Sequence, residues 1–381
     1  MFNRRRNPAV DRVSALPDFI LYKILSFLPT KQAVATSVLS KRWRPLWFSL
    51  PTLDLDDKAF ATFERFSLFV YSLFLSRDIT LPLRSFRLTC GNSSPCDPYA
   101  INRFVYAAVQ RGLRHLHLNM KDNLQRYVRI KLPSCVLTCR TLTVLKLKKV
   151  AIDDLPYVDF PSLETLHLVW VSFRLHEDVM KFIAGCPILQ DLRTKYLLGI
   201  RGHRGHGEVT SLPKLRRAEI SNLDIPFSLL HNVDFLRAEL KCTYFSDVPE
   251  FHNLTHMELI FEFTKWRWNW LLEALNHCPK LHHLTIQKVL KYKDAICDED
   301  WEDPHFVPEC ISSLLKTCCL RNYKGIKCEL QFAKYILQNS KVLRTMTIQS
   351  TFEVDMTEKL QMLMKLSVLP RSSATCKLSF E

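Results

Sequence analysis

The chain has 381 residues, 47% of them hydrophobic, enough for about two or three domains with real cores, and its longest apolar run, Phe66 to Leu75, is too short to cross a bilayer. Its 53 lysines and arginines exceed its 38 acidic residues, and the formal net charge of +15 favours acidic partners without bearing on fold. The 13 cysteines include no Cys-x-x-Cys pair, and an odd count at irregular spacing suits reduced thiols of the cytoplasm or nucleus rather than a disulfide framework.

In chain order, residues 1–13 are charged, lack the apolar core of a signal peptide and read as a flexible lead-in. Ser14 to Trp47 then reads as three short helices. Pro17 suits a first helical position, with Asp18 beside it at the positive end of the helix dipole. Ile20, Leu21, Ile24, Leu25 and Leu28 recur at helical spacing, and Pro29 stops that helix. Thr30 can cap a second helix bearing Ala33, Val34 and Val38, and Ser40 a third that carries Trp43 and ends near Pro45. Roughly 35 residues cannot bury a sizeable core of their own. Leu16, Ile20, Leu25, Leu28, Val38, Leu39 and Trp43 are therefore left facing something else, and a partner is implied.

Leu50 to Leu55 alternates like a short strand, and the aromatic-rich stretch 60–75 reads as a buried helix; together they form a linker over 51–82. From Leu83 to about residue 297 the chain repeats an L-x-x-L-x-L unit. Clear copies are Leu113-Leu116-Leu118, Leu142-Leu145-Leu147, Leu163-Leu166-Leu168, Leu254-Met257-Leu259 and Leu281-Leu284-Ile286. Weaker copies begin at Leu83, Leu189, Leu215, Phe235, Leu315 and Leu343, and successive starts lie 19 to 34 residues apart. That is the period of leucine-rich repeats. The second and third leucines sit two apart, so on a strand both point into the core while the residues between them face out. Each strand pairs in parallel with its neighbours, and no unit buries its apolar face alone.

Three return segments read as helices before a turn and a new strand: Glu177 to Ala184, Trp268 to Asn276 and Gln331 to Gln338. Gly199 to Gly207 reads as an exposed loop, and the weak copies at 189, 215 and 235 predict an irregular solenoid. Residues 301–381 form a last block that repeats the strand and helix chemistry and ends in an alternating edge strand, Cys376 to Phe380. It reads as the structural end of the stack, because a solenoid must cover its open edge.

Over 14–50, the order L-P-x-x-I-x-x-x-I-L-S-F-L-P-T-K followed by S-V-L-S-K-R-W resembles the F-box. In the last block Trp301, Pro304, Val307-Pro308-Glu309-Cys310, Tyr323-Lys324-Gly325, Glu329 and Tyr335-Ile336-Leu337 resemble the FBD region of plant F-box proteins. F-box, repeats and FBD together are similar to one large plant family, over nearly the whole chain. The fold so expected is α/β: a three-helix F-box, an irregular leucine-rich-repeat solenoid with parallel strands, and a closing FBD region. The resemblance implies docking to a Skp-type adaptor, and through it to a cullin–RING ubiquitin ligase. Carried over by position, the adaptor-facing residues are Leu16, Pro17, Ile20, Leu25, Leu28, Pro29, Val38, Leu39, Lys41 and Trp43.

The solenoid then holds a target protein for ubiquitination. Its outward strand positions include Arg114, His115, His117, Lys146, Lys148, His167, Arg216, Arg217, His282 and His283, whose basic character points to an acidic target surface. The basic residues come in short bursts and form no long tract, so nucleic acid is the weaker partner. No membrane partner is expected. The rival reading is a basic repeat scaffold that binds protein or nucleic acid independently of a ligase. No catalytic group, metal site or cofactor is expected: His203 and His206 lack partners at ligand spacing, the acidic run Asp298 to Asp303 lacks a calcium-loop glycine, and no cysteine stands in an activating setting.

Overall fold

The structure is a computed structural model that describes residues 13, 15–92, 95–121, 130–153, 155, 157–198, 211–221, 225–240, 248–261, 268–289, 301, 304–351 and 354–381. The lead-in to residue 12, the glycine-rich loop 199–207 with His203 and His206, and the acidic run 298–303 apart from Trp301 lie outside the described residues. The chain divides into two compact units, residues 1–163 and 164–381.

The first unit opens with helices α1 (Asp18–Ser26) and α2 (Thr30–Ala35). Strand β1 (Thr52–Asp56), helix α3 (Phe63–Ser76), β2 (Ser85–Cys90), α4 (Pro98–Val109) and β3 (His115–Met120) follow. Then come β4 (Ile130–Lys131), α5 (Ser134–Leu137), β5 (Val144–Lys148) and β6 (Val150–Ile152). Strands β1, β2, β3 and β5 pair in that order, all parallel, and β4 pairs with β6.

The linker strand is in fact the first strand of the sheet. Leu53 aligns with Phe86 and Leu55 with Leu88, and Leu50, Leu53 and Leu55 are all buried. L-P-T-L-D-L therefore carries the repeat spacing itself, although it lies inside the expected linker. The buried helix is present as α3, which turns Phe63, Phe66, Val70 and Leu73 inward. Phe66 meets Phe104 of α4 edge-on at 6.4 Å, and Phe74 lies 6.1 Å from Phe86 of β2. Helix α4 was not anticipated, although Asp97 caps it by accepting from Tyr99 N at 2.9 Å and Pro98 starts it.

Two caps expected in the amino-terminal segment differ. Pro29 holds the N-cap position of α2, and the buried Thr30 hydroxyl instead accepts the Asp54 N–H at 2.7 Å, tying α2 to β1. Residues 41–46 form successive turns, Trp43 N to Ser40 O at 3.1 Å and Leu46 N to Trp43 O at 3.3 Å, where a third helix was expected.

The second unit runs β7 (Thr165–Val169), β8 (Ser172–Phe173), α6 (His176–Ala184), β9 (Asp191–Lys195), β10 (Arg217–Ser221), β11 (Phe235–Leu240) and β12 (His256–Phe261). It continues through α7 (Trp268–Asn276), β13 (His283–Lys288), α8 (Glu309–Ser313), β14 (Thr317–Tyr323), α9 (Lys327–Asn339), β15 (Thr345–Ser350), α10 (Met356–Ser367) and β16 (Lys377–Phe380). Strands β7 and β9 to β16 pair in chain order, every neighbour parallel. The three expected return helices are α6, α7 and α9, the last starting four residues earlier than its apolar spacing indicated.

One repeat is read two residues out of frame by its leucine spacing. Leu236 aligns with Ala218 and Met257, and Ala238 with Ile220 and Leu259. The buried triad is Val233-Leu236-Ala238, so Phe235, taken from the sequence as a core position, stands on the outward row. Spacing alone permits both frames because Leu240 is buried as well.

The last block is continuous with the strands before it: β13 pairs directly with β14. Trp268 of α7 stacks on Phe332 of α9 at 4.4 Å, and the Cys310 thiol donates to Leu275 O at 3.2 Å. The motif residues of this block tie it together. The buried Glu329 carboxylate accepts from Lys324 N at 2.9 Å and Gly325 N at 3.0 Å, and the Tyr335 hydroxyl donates to Phe306 O at 3.0 Å. Gly325 has φ of +72°, and a Cβ there would lie 2.9 Å from Met362, so only glycine fits. Replacing Glu329 by alanine leaves those N–H groups without their acceptor and should destabilise this unit by about 2 kcal/mol or more, read as a lower midpoint in urea unfolding.

The eleven described cysteines are all free thiols. Burial pushes Cys186 and Cys310 up to about 12, so they stay protonated and pack as small hydrophobes.

Candidate functional site

The amino-terminal segment is organised by which side of α1 it hides. Leu21 and Leu25, four residues apart, are fully buried, and Ala33, Trp43, Leu46, Trp47 and Leu50 join them. Arg42 closes the segment by donating to Asp18 Oδ1 at 2.6 Å and to the Leu16 carbonyl at 2.6 Å. Lys31 of α2 donates to Ala59 O at 2.5 Å, with its ammonium 4.2 Å from the Phe60 ring centre. The buried Arg77, just past α3, donates to Leu50 O at 2.6 Å. The segment is thus fastened to the first strands and helix of the repeats, and it shares a core with them.

That sharing changes the expected adaptor face. Leu25 (0% exposed) and Trp43 (3%) are core residues of this chain and offer no surface to a partner. Pro17, Pro29 and Lys41 are exposed, and Leu16, Ile20 and Leu28 are half-buried. Val38 (85%) and Leu39 (65%) stand almost clear of the protein. Phe19 (67%), Phe27 (78%) and Ile24 are exposed too, yet were not singled out from the sequence. Their signal was available: Phe19 and Phe27 lie eight apart on the side of α1 opposite Leu21 and Leu25. Large apolar side chains are thus concentrated at the surface of a small segment.

The ten basic strand-face candidates fall in two groups. In the first unit, His117 and Lys146 are register neighbours on β3 and β5, and Asn119 and Lys148 are the next pair along. Arg114 and His115 are exposed where β3 begins. Among the described residues neither Lys146 nor Lys148 pairs with a carboxylate. In the second unit the cations are engaged. His167 Nε2 lies 3.2 Å from Asp191, Arg216 lies 3.7 Å from Asp234, and Arg217 lies 2.7 Å from Glu219. His282 and His283 precede and open β13. Phe235, His256, Glu219 and Glu258 also belong to this outward face and were missed, Phe235 because of the frame error.

Among the described residues no group of three or more His, Cys, Asp or Glu side chains could hold a metal ion, and no helix is long and apolar enough to cross a membrane.

Family models match three segments of the chain. The F-box domain matches residues 13–54, the leucine-rich repeats of FBD-associated F-box protein At5g56370 match 101–218, and the FBD matches 302–348. FBD-associated F-box protein At4g10400 of Arabidopsis thaliana is 31% identical over 425 residues, spanning 97% of this chain and 100% of its own. The Arabidopsis FBD-associated F-box protein At5g56370 is 32% identical over 431 residues, with 97% and 100% covered. F-box/FBD/LRR-repeat protein At4g00160, also from Arabidopsis, is 32% identical over 437 residues, with 97% and 94% covered. With identity at this level sustained from the amino-terminal helices to the last strands, the chain belongs to the F-box/FBD/LRR-repeat protein family.

Proposed function

We propose that this protein is the substrate-recognition subunit of an SCF-type cullin–RING ubiquitin ligase, acting in the nucleus or cytoplasm. The F-box holds a Skp-type adaptor, the outward strand faces hold a target protein, and catalysis lies in other subunits. Its contribution is proximity: tethering raises the effective concentration of a target lysine beside the charged ubiquitin carrier. The observation that carries this reading is the exposure of Phe19, Phe27, Val38 and Leu39 on a segment otherwise fastened into the fold. Co-expression with a Skp-type adaptor tests it. Co-purification as a stable complex supports the reading, and a chain that stays monomeric beside excess adaptor favours the independent repeat scaffold.

For the target, Lys146 and Lys148, which pair with no carboxylate among the described residues, support an acidic surface approaching the strand face of the first unit. Changing both to glutamate should slow association of an identified target by about tenfold at low salt and leave adaptor binding intact. Association rates indifferent to these changes and to added salt would move the target elsewhere.

A further inference from the structure

One row of residues on the outward side of the second unit has a chemistry that the charge pattern alone does not suggest. Arg217, Phe235, His256, His283 and Thr317 occupy matched register positions on β10 to β14. The Arg217 guanidinium lies 3.8 Å from the Phe235 ring centre. Phe235 and His256 follow at 6.4 Å, and His256 and His283 stack at 4.2 Å with their planes 18° apart. The two imidazoles are pinned at one nitrogen each: His256 Nδ1 lies 2.8 Å from Thr255 Oγ1, and His283 Nδ1 lies 2.8 Å from Thr317 Oγ1. Neither Nε2 has a hydrogen-bond partner among the described residues.

This stacking consumes the faces of the rings and leaves their edges to the solvent. An aromatic ring is negative on its face and positive at its edge, so the rim of Phe235 adds to the positive charge of the Arg217 guanidinium stacked on it. The charges beside it reinforce the sign. Glu219 is shared by Arg193 at 3.4 Å and Arg217 at 2.7 Å, and Glu258 by Arg237 at 3.0 Å and Arg321 at 2.6 Å. Each carboxylate faces two guanidiniums, so positive charge is in excess. Lys316 and His282 lie at the β13 end, and the nearby Asp234 is occupied by Arg216 at 3.7 Å.

We propose that this ladder is the docking point for a glutamate- or aspartate-bearing segment of the target, bound with uptake of a proton by the His256–His283 pair. The inference rests on the strand face being the target-binding surface. Burial, then His256, His282 and Lys316, hold the His283 imidazole below its ordinary value, and burial with Lys316 and His256 does the same for His282. In the free protein the His283 imidazole therefore resists protonation. An incoming carboxylate reverses that balance. A proton from solvent converts one imidazole to imidazolium, whose Nε2–H then donates to the carboxylate oxygen.

The test uses the full chain and synthetic peptides: hexaglutamate, hexaglutamine and a phosphoserine hexapeptide, titrated by calorimetry in buffers of different ionisation enthalpy. Hexaglutamate should bind about tenfold tighter near about pH 6 than near about pH 7.5, with net proton uptake. The H256F/H283F double variant keeps a stacked row and should melt as the parent does, yet lose the pH dependence and the uptake. Loss of hexaglutamate binding only in a K146E/K148E variant would overturn the ladder and leave the strand-face reading standing. Equal binding of hexaglutamine, a marked preference for the phosphopeptide, or no binding of any peptide would each overturn the proposal.

Discussion

Replacing Val38 and Leu39 together by serine should weaken binding of a Skp-type adaptor by about a thousandfold while leaving the unfolding of the chain unchanged. Both side chains project from the turn that follows α2 and are mostly exposed, so they contribute almost nothing to this chain's own core. Truncating a desolvated apolar anchor at an interface costs on the order of 2 kcal/mol, and two such losses give the stated factor. The contrast with Trp43 separates docking from folding. Trp43 is buried, and Trp43→Ala should cost about 3 kcal/mol or more of stability through the cavity it leaves. Loss of adaptor binding in W43A would therefore come with a lower melting temperature, and in V38S/L39S without one. Undiminished adaptor binding by the serine variant would take this surface out of the interface.

Deleting residues 306–381 should have the larger effect on the protein itself. The cut exposes the hydrogen-bonding edge of β13, which β14 pairs along Leu284–Cys318 and Ile286–Leu320. It also removes Phe332 from Trp268, and Cys310 from Leu275. Removal of a single buried aromatic costs about 3 to 5 kcal/mol, and this cut takes Phe332, Ile336 and the whole of β14 to β16. The sum exceeds the roughly 5 to 15 kcal/mol that holds a typical domain together. The truncated chain should melt far below the intact one and aggregate through its bare edge strand. A soluble truncated protein with unchanged melting, beside a folded isolated 306–381 fragment, would instead establish an independent domain on a linker.

Much of this organisation was legible because it rests on local chemistry. The L-x-x-L-x-L spacing fixes which residues of a strand enter the core, and the parallel register follows it from Leu53 to Leu147 in the first unit and from Leu166 to Ile348 in the second. Helices α6 and α7 were found where their apolar spacing lies between a strand and a turn signal. Helices α4 and α10 carry no leucine repeat, and their signals are the polar starts Asp97-Pro98 and the Asp355–Glu358 capping box.

What the sequence by itself determined is the periodic core and the family pattern laid over it. The tertiary structure decided which side of each periodic element stays outside. Leu25 and Phe27 are both apolar and two residues apart; α3 and β1 supply a core for the segment that holds one of them, and the other remains at the surface. By its spacing Phe235 could be core or surface until its pairing with Arg217 and His256 set the frame. The basic residues of the second unit looked free in one dimension, yet carboxylates on other strands reach them, 21 residues away in Arg237–Glu258 and 63 in Arg321–Glu258. Burial, register and charge pairing all depend on what lies across a strand, and a linear pattern records only what lies along it.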